Sequence, residues 1–252
     1  MDRLPVLIAI PHSGIQVPVE LQDRIQVTAS DIYDDSDPFS DQIYDIGDRA
    51  VEVIIASIAR ACVDVDRAPD ELPPVNVDGV IKSMTRKRKP VYQEGRQPDR
   101  GMIEPLLTSY YEPFHELVGE ALHNPEIELG LDCHTMSAYG PSLSEAPGKR
   151  PLICLGNWYD QTCSQAAIEW LASCFCDVFE LDDREIGINK PFSGGYVTRT
   201  FGNDPIPWIQ IMLNRSLYLD TNWLANSSPQ CDEERLKELN CNFQQVLTLF
   251  FG

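Results

Sequence analysis

Long apolar runs are missing from this chain, and so are most short motifs that announce a chemistry. No stretch of its 252 residues approaches the ~20 apolar residues needed to cross a bilayer. There is no C-x-x-C pair, which disfavours a cysteine zinc knuckle or a dithiol redox centre. Eight cysteines in 252 residues are dilute, and Cys62, Cys154, Cys174 and Cys176 sit inside apolar runs as buried free thiols do. Without a G-x-G-x-x-G or a P-loop, no nucleotide-binding claim follows. Without a G-x-S-x-G elbow, a covalent hydrolase mechanism is weakened. Basic residues are also scarce, 20 against 39 acidic, for a net charge of −19. Such a field repels nucleic acid and anionic lipid, so neither is expected as a partner. An anionic small-molecule substrate would need a local basic patch. Met1–Pro5 carries no basic region ahead of an apolar segment, so the expectation is a reduced, cytoplasmic protein.

Histidine is rarer still, with four in the chain: His12, His115, His123 and His134. Two of them end short apolar runs, LIAIPHSG from Leu7 to Gly14 and IELGLDCHTM from Ile127 to Met136. Each run has strand length and composition. His12 and His134 are therefore expected where a strand gives way to a loop, the place where open α/β sheets bind ligands. Asp132 and His134 are two apart, so on a strand they share a face and the aspartate can orient the imidazole. Two such imidazoles and a nearby carboxylate point to a metal site, zinc above all, with one position open. Carboxylates crowd Asp31–Asp41. Asp37 and Asp41, spaced i, i+4 at an expected helix start, share a face, although acidic residues there need no functional reason. The cluster is no EF-hand, because the glycine and closing glutamate are misplaced. His115 and His123 lie on one helical pattern and read as structural or surface residues.

Strand-like runs recur at Leu4–Ile10, Val51–Ile58, Ile127–Cys133, Pro151–Gly156, Tyr196–Phe201 and Ile206–Leu213. Helical patterns fill Pro38–Asp48, Leu106–Leu122, Gln161–Cys176 and Asp232–Phe250. The alternation predicts an α/β fold, one domain over 1–252 with a mixed sheet flanked by helices. Long loops are expected at Pro69–Arg100 and Ser137–Arg150. The first carries Lys82, Arg86, Lys87, Arg88 and Lys89, a stretch that could admit longer anionic substrates of an ester or peptide hydrolase. Arg60, Arg67, Arg199 and Arg215 stand at element ends, where a planar fork suits a substrate carboxylate. Each taken singly is explained as well by surface ion pairing. Gly194-Gly195 allows close backbone approach.

In register along the chain stand PHSG at Pro11–Gly14, D-x-x-x-D at Asp37–Asp41 and D-x-D-R-x-P at Asp64–Pro69. Y-x-P-F-H at Tyr111–His115, D-x-H-T-M at Asp132–Met136 and R-P-x-x-x-L-G at Arg150–Gly156 follow. N-x-P-F-x-G-G-Y-x-T-R at Asn189–Arg199 and Q-I-x-x-N-R-x-L-Y at Gln210–Tyr218 complete the series. Together, over about residues 6–220, these resemble the N-formylglutamate amidohydrolase family. The resemblance implies a fold like that of zinc carboxypeptidases and aspartoacylase, and a zinc-dependent amidohydrolase that removes a small acyl group from an N-acyl amino acid. It implies His12, His134 and Asp37 as zinc ligands, with Asp41 a weaker candidate. It further implies Arg60 as oxyanion stabiliser and Arg67 on the substrate's carboxylate, with Arg199 or Arg215 assisting and Asn189 and Gly195 lining the substrate.

Two positions depart from the family pattern. Asp66 stands where the family usually has asparagine, and Met212 where a glutamate is expected to activate water. Loss of a general base costs about 10²–10⁴-fold. Either another carboxylate (Asp66, Asp64 or Glu185) takes over, with Asp66 the catalytic candidate, or the chain binds a small ligand and turns it over poorly.

Overall fold

The computed structural model describes residues 3–140, 148–219 and 231–252, organised on one six-stranded sheet. Its strands are β1 (Leu4–Ile10), β2 (Ala50–Ile55), β3 (Leu129–Met136), β4 (Ile153–Gly156), β5 (Ile186–Ile188) and β6 (Trp208–Asn214), in the order β2-β1-β3-β6-β4-β5. The first four strands in that order run parallel. β4 pairs antiparallel with β6, and β5 parallel with β4. This is the mixed sheet flanked by helices that the alternating pattern predicts.

Alternation along the strands separates two cores. Val6, Ile8, Ile10, Leu131, Cys133, Ile209 and Ile211 pack against helices α2 (Ser40–Tyr44), α5 (Gln165–Phe179) and α7 (Glu233–Phe251). On the opposite face, Leu7, Ala9 and Trp208 meet Phe114 and Val118 of α4 (Glu112–Ala121) and Val197 of α6 (Tyr196–Phe201). On that same face, towards the carboxyl ends of the parallel strands, the alternation places Asp132, His134 and Met212, with His134 and Met212 paired in register.

Several expectations are corrected. Tyr196–Phe201 is helical rather than extended: its Val-Thr content favours a strand, but Asp66 Oδ1 accepts the Val197 N–H at 2.8 Å and caps the segment. The helix expected over Pro38–Asp48 shrinks to Ser40–Tyr44. Phe39 before it adopts φ 63°, and Asp37 lies outside it, so Asp37 and Asp41 share no helix face. β3 continues two residues beyond His134, which is therefore inside a strand. The Leu106–Leu122 pattern begins earlier, as α3 (Arg100–Leu106), and passes through a π turn at Leu107–Tyr111 before α4. The short α1 (Ala29–Asp35) and β5 carry no periodic signal long enough to register. Much of the expected Ser137–Arg150 loop lies outside the described residues. No helix among those described is long and apolar enough to cross a membrane.

Candidate metal centre

His12 leaves β1 at its carboxyl end, and Asp37 follows α1 in a turn whose backbone N–H donates to the His12 carbonyl at 2.8 Å. His134 rises from β3 beside them. The three side chains converge through His12 Nδ1, His134 Nδ1 and Asp37 Oδ2. The two imidazole nitrogens are 3.1 Å apart, and Asp37 Oδ2 is 3.1 Å from His134 and 3.6 Å from His12. Metal–ligand bonds of about 2.0–2.1 Å in tetrahedral geometry require ligand separations of about 3.3 Å, so this triad fits zinc.

Each imidazole is fixed from behind. His12 Nε2 meets Asp64 Oδ1 at 2.6 Å, and His134 Nε2 meets Asp132 Oδ1 at 2.7 Å. That arrangement sets the tautomer and presents Nδ1 forward. Asp132 Oδ2 accepts from the Thr198 hydroxyl at 2.7 Å, and Tyr44 Oη donates to the His134 carbonyl at 2.8 Å. Asp37 is gripped on both oxygens: Oδ2 accepts the Thr135 N–H at 3.1 Å and Oδ1 accepts from Arg215 at 2.9 Å.

Charge balance also favours a cation. Asp37, Asp64, Asp66 and Asp132 are all buried. Arg215 pairs with Asp37 and Arg60 with Asp64, while Asp66 and Asp132 meet no lysine or arginine among the described residues. With neutral imidazoles the cluster carries two uncompensated negative charges, the complement of one divalent ion. Without an ion, protons fill the gap. Burial opposes charge on His134, but Asp132 and Asp37 overcome it and raise its pKa well above 6.5. Burial and then the charge of Asp132 lift the Asp66 carboxyl to about 6.

The structure brings several other expected residues to this cluster. Arg60 lays Nε and Nη2 on Asp64 Oδ2 at 3.2 and 2.9 Å, leaving Nη1 without a hydrogen bond among the described residues. Asp66 Oδ2 lies 3.6 Å from His134 Nε2. Gly195 makes room for it, since a Cβ there would lie 2.1 Å from Asp66 Oδ2. Arg67 stands at the edge, one-third exposed, with Nη2 on Asp78 at 3.0 Å and Nε 4.0 Å from Asp64. Arg215 is buried and makes four hydrogen bonds, to Thr135 Oγ1, the Asp34 and Ser36 carbonyls and Asp37, so its fork faces inward.

Asn189 and Arg199 make no contact with the triad. Asn189 spends its amide on Asn157 and Tyr159, and exposed Arg199 bonds the Gly195 carbonyl and lies 5.9 Å over Trp158. Glu185 caps a turn with Asp182, remote from these carboxylates in contact terms. Asp41 is half-buried in α2. Four of the five cations of the basic stretch are committed to acids: Lys82 to Asp35 and Asp78, Arg86 and Lys87 to Asp34, Lys89 to Asp31. Those four cations are therefore not free for a long anionic substrate.

His115, expected as a structural or surface residue, and Tyr111, its partner in the Tyr111–His115 motif, support the site from outside it. One helical turn apart across the π segment, they take alternate carbonyls of one strap: His115 Nε2 on Val65 at 2.9 Å and Tyr111 Oη on Arg67 at 2.9 Å. That strap carries Asp64, Asp66 and Arg67. Burial lowers the His115 pKa, consistent with a neutral ring donating from Nε2. The i, i+4 spacing of Tyr111 and His115 was the available signal.

A family model described as N-formylglutamate amidohydrolase matches residues 4–219. The N-formylglutamate deformylase of Pseudomonas putida is 26% identical over 228 residues, 86% of this chain and 83% of that protein. Among solved structures, the N-formylglutamate amidohydrolase of Ralstonia eutropha superposes with a TM-score of 0.82 at 18% identity, over 100% of this chain and 94% of that one. A gene product of Agrobacterium tumefaciens gives 0.68 at 14% identity, over 99% and 90%. At these identities the two structural likenesses speak for the fold, while the family match spans six strands and every residue of the triad. The chain belongs to the N-formylglutamate amidohydrolase family.

Proposed function

We propose that this chain is a zinc-dependent amidohydrolase that removes a formyl or similarly small acyl group from an N-acyl amino acid. The observation that carries the reading is the triad of His12, Asp37 and His134, at ligand separations of 3.1–3.6 Å with both imidazoles backed by buried aspartates. When bound, zinc supplies Lewis acidity that makes water nucleophilic near neutral pH.

The chain's own groups supply the rest. The unoccupied Nη1 donor of Arg60 meets the carbonyl oxygen as negative charge develops there, in a dry setting where such a bond is strongest. Arg67 holds the substrate's α-carboxylate at the rim. Asp66, the carboxylate whose pKa stands at about 6, accepts the proton from water and returns it to the departing amine. The Val197 N–H and the absence of a Cβ at Gly195 hold that carboxyl in place.

Met212 favours a second reading, a small-molecule binder with little turnover, because a thioether pairs in register with His134 where the family has its base. Formate release decides between them. Protein prepared without chelator or nickel affinity is assayed for metal content and for hydrolysis of N-formyl amino acids, beside His134→Ala. One zinc per chain with turnover, both lost in the variant, supports the hydrolase. Ligand-dependent thermal stabilisation without turnover supports the binder, and activity that survives His134→Ala sinks the metal mechanism.

A further inference from the structure

β5 closes one end of the sheet, and no strand among the described residues pairs on its outer side. Its inner side is settled. The Leu152 N–H donates to the Glu185 carbonyl and the Asn189 N–H to the Leu155 carbonyl, each at 2.7 Å. Alternation along the strand therefore turns the N–H and C=O groups of Ile186 and Ile188 outward, away from β4. Lysine and proline, which blunt such edges, are absent from β5, and Ile188 is 38% exposed.

The two faces of this edge differ. On one, the Lys190 carbonyl folds back over Gly187, where a Cβ would meet it at 2.1 Å. On the other, Ile186 and Ile188 form one wall of a groove of about 640 Å³ whose opposite wall is α5. That volume lies in the range of ligand clefts, ~300–1,000 Å³. Glu169 and Asp177 of α5, Glu180 just beyond it and Asp183 line the groove, and no lysine or arginine does. None of these four acids pairs with a lysine or arginine among the described residues, whereas Asp31, Asp34 and Asp35 each do. Burial, and then the charges of Asp183, Asp177 and Asp182, raise the pKa of the Cys176 thiol, so the acids act together on one point of the groove.

Outward backbone groups call for an extended chain, and an apolar wall under an acidic rim calls for apolar and basic side chains on it. A second copy of this chain fits poorly, since at a net charge of −19 each it would set the same acids against one another. We propose that β5 and α5 form a docking site for an extended basic segment of a partner protein, which adds to β5 as a strand and lays lysine or arginine side chains along the acidic rim. The site shares no residue with the His12, Asp37 and His134 triad and does not rest on the amidohydrolase reading. A three-residue edge offers few backbone bonds, so the association is weak and salt-sensitive.

The test titrates the whole chain into a fluorophore-labelled peptide, Lys-Ile-Lys-Val-Lys-Ile-Lys, at low ionic strength and reads anisotropy. The same peptide with every amide N-methylated keeps the charge but cannot add as a strand. Two variants accompany wild type, with thermal melts to check folding: Ile188→Pro, which removes an outward N–H, and Glu169→Lys combined with Asp177→Lys, both exposed on α5. Wild type is expected to bind the peptide saturably. Affinity is expected to fall about tenfold or more in the double charge reversal, and likewise in Ile188→Pro and with the methylated peptide. Equal binding of the methylated peptide makes the groove a general polycation surface and overturns strand addition. Unchanged affinity in the charge-reversed variant, or no saturable binding by wild type, overturns the docking site itself. Should Ile188→Pro fail to fold, the methylated peptide decides in its place.

Discussion

His12 and His134 point their Nδ1 atoms at each other across 3.1 Å, and each commits its Nε2 to a different buried aspartate. A single cation, whether a proton or a metal ion, reconciles that contact. The two compete, and the competition fixes a sign. The pKa of His134 is raised in the folded, metal-free chain, so its contribution to stability is complete below about pH 6.5 and is lost as pH climbs through the raised value. Zinc must displace that proton. Its affinity is therefore expected to rise by up to about tenfold per pH unit while His134 titrates, with proton release seen by calorimetry in buffers of different ionisation heat. A flat affinity across the titration removes His134 from the ligand set.

Asp132 accepts from His134 Nε2 at 2.7 Å, and on the proposed zinc site it acts through that ring. Asp132→Asn removes the charge that orients the ring and is expected to weaken zinc binding about 10–100-fold. Competition against a chromophoric chelator reads this directly, and wild-type affinity in the variant would assign Asp132 to packing alone.

Asp66 and Met212 are predicted to be coupled. Asp66→Asn should lower kcat by about 10²–10⁴-fold if this carboxyl carries the proton. Met212→Glu places a carboxylate beside His134, as the register of β3 and β6 dictates. Added to Asp66→Asn, it should recover part of the loss, a non-additivity that a double-mutant cycle measures. Additive effects in that cycle would mean that the two positions do not share a role.

Gly195 has no freedom to grow. A methyl group there would stand 2.1 Å from Asp66 Oδ2, and that oxygen cannot retreat while its partner oxygen holds the Val197 N–H. Gly195→Ala should cost about 1–3 kcal/mol in denaturant unfolding and reduce turnover by displacing Asp66. A variant with unchanged stability and rate would show the carboxyl to be mobile.

The strap from Asp64 to Arg67 offers a further check. His115→Phe leaves the Val65 carbonyl without its partner in a part-buried setting, at an expected cost of about 1–3 kcal/mol. The more informative readout is kcat against KM at temperatures where the variant is folded, since a displaced strap moves both. Unaltered kinetics would confine His115 to stability.

Residue types and strand periodicity made much of this visible in the sequence. Two histidines closing apolar runs placed His12 and His134 at the same end of the sheet, and the two-residue repeat put Asp132 behind His134. Side-chain competition across the fold was not visible. Nothing in Arg215's own surroundings says that it faces Asp37, because its partners Asp34 and Ser36 lie 181 and 179 residues away. The helical state of Tyr196–Phe201 likewise depends on a capping carboxylate 131 residues distant. The π turn before α4 leaves no trace in apolar spacing, though it sets Tyr111 and His115 on one side.

His134 joins the triad from 97 and 122 residues away, whereas His12 and Asp37 already meet through a backbone hydrogen bond of 2.8 Å. The β1–α1 segment therefore supplies two of the three candidate ligands, and β3 supplies the third when it pairs beside β1. If the proposed zinc site is loaded, an intermediate without the β1–β3 pairing offers two ligands, and full affinity waits for the third. On the proposed zinc site, an ion that binds the finished fold most tightly draws the folding equilibrium towards that fold, so starvation for the ion is expected to lower stability as well as activity.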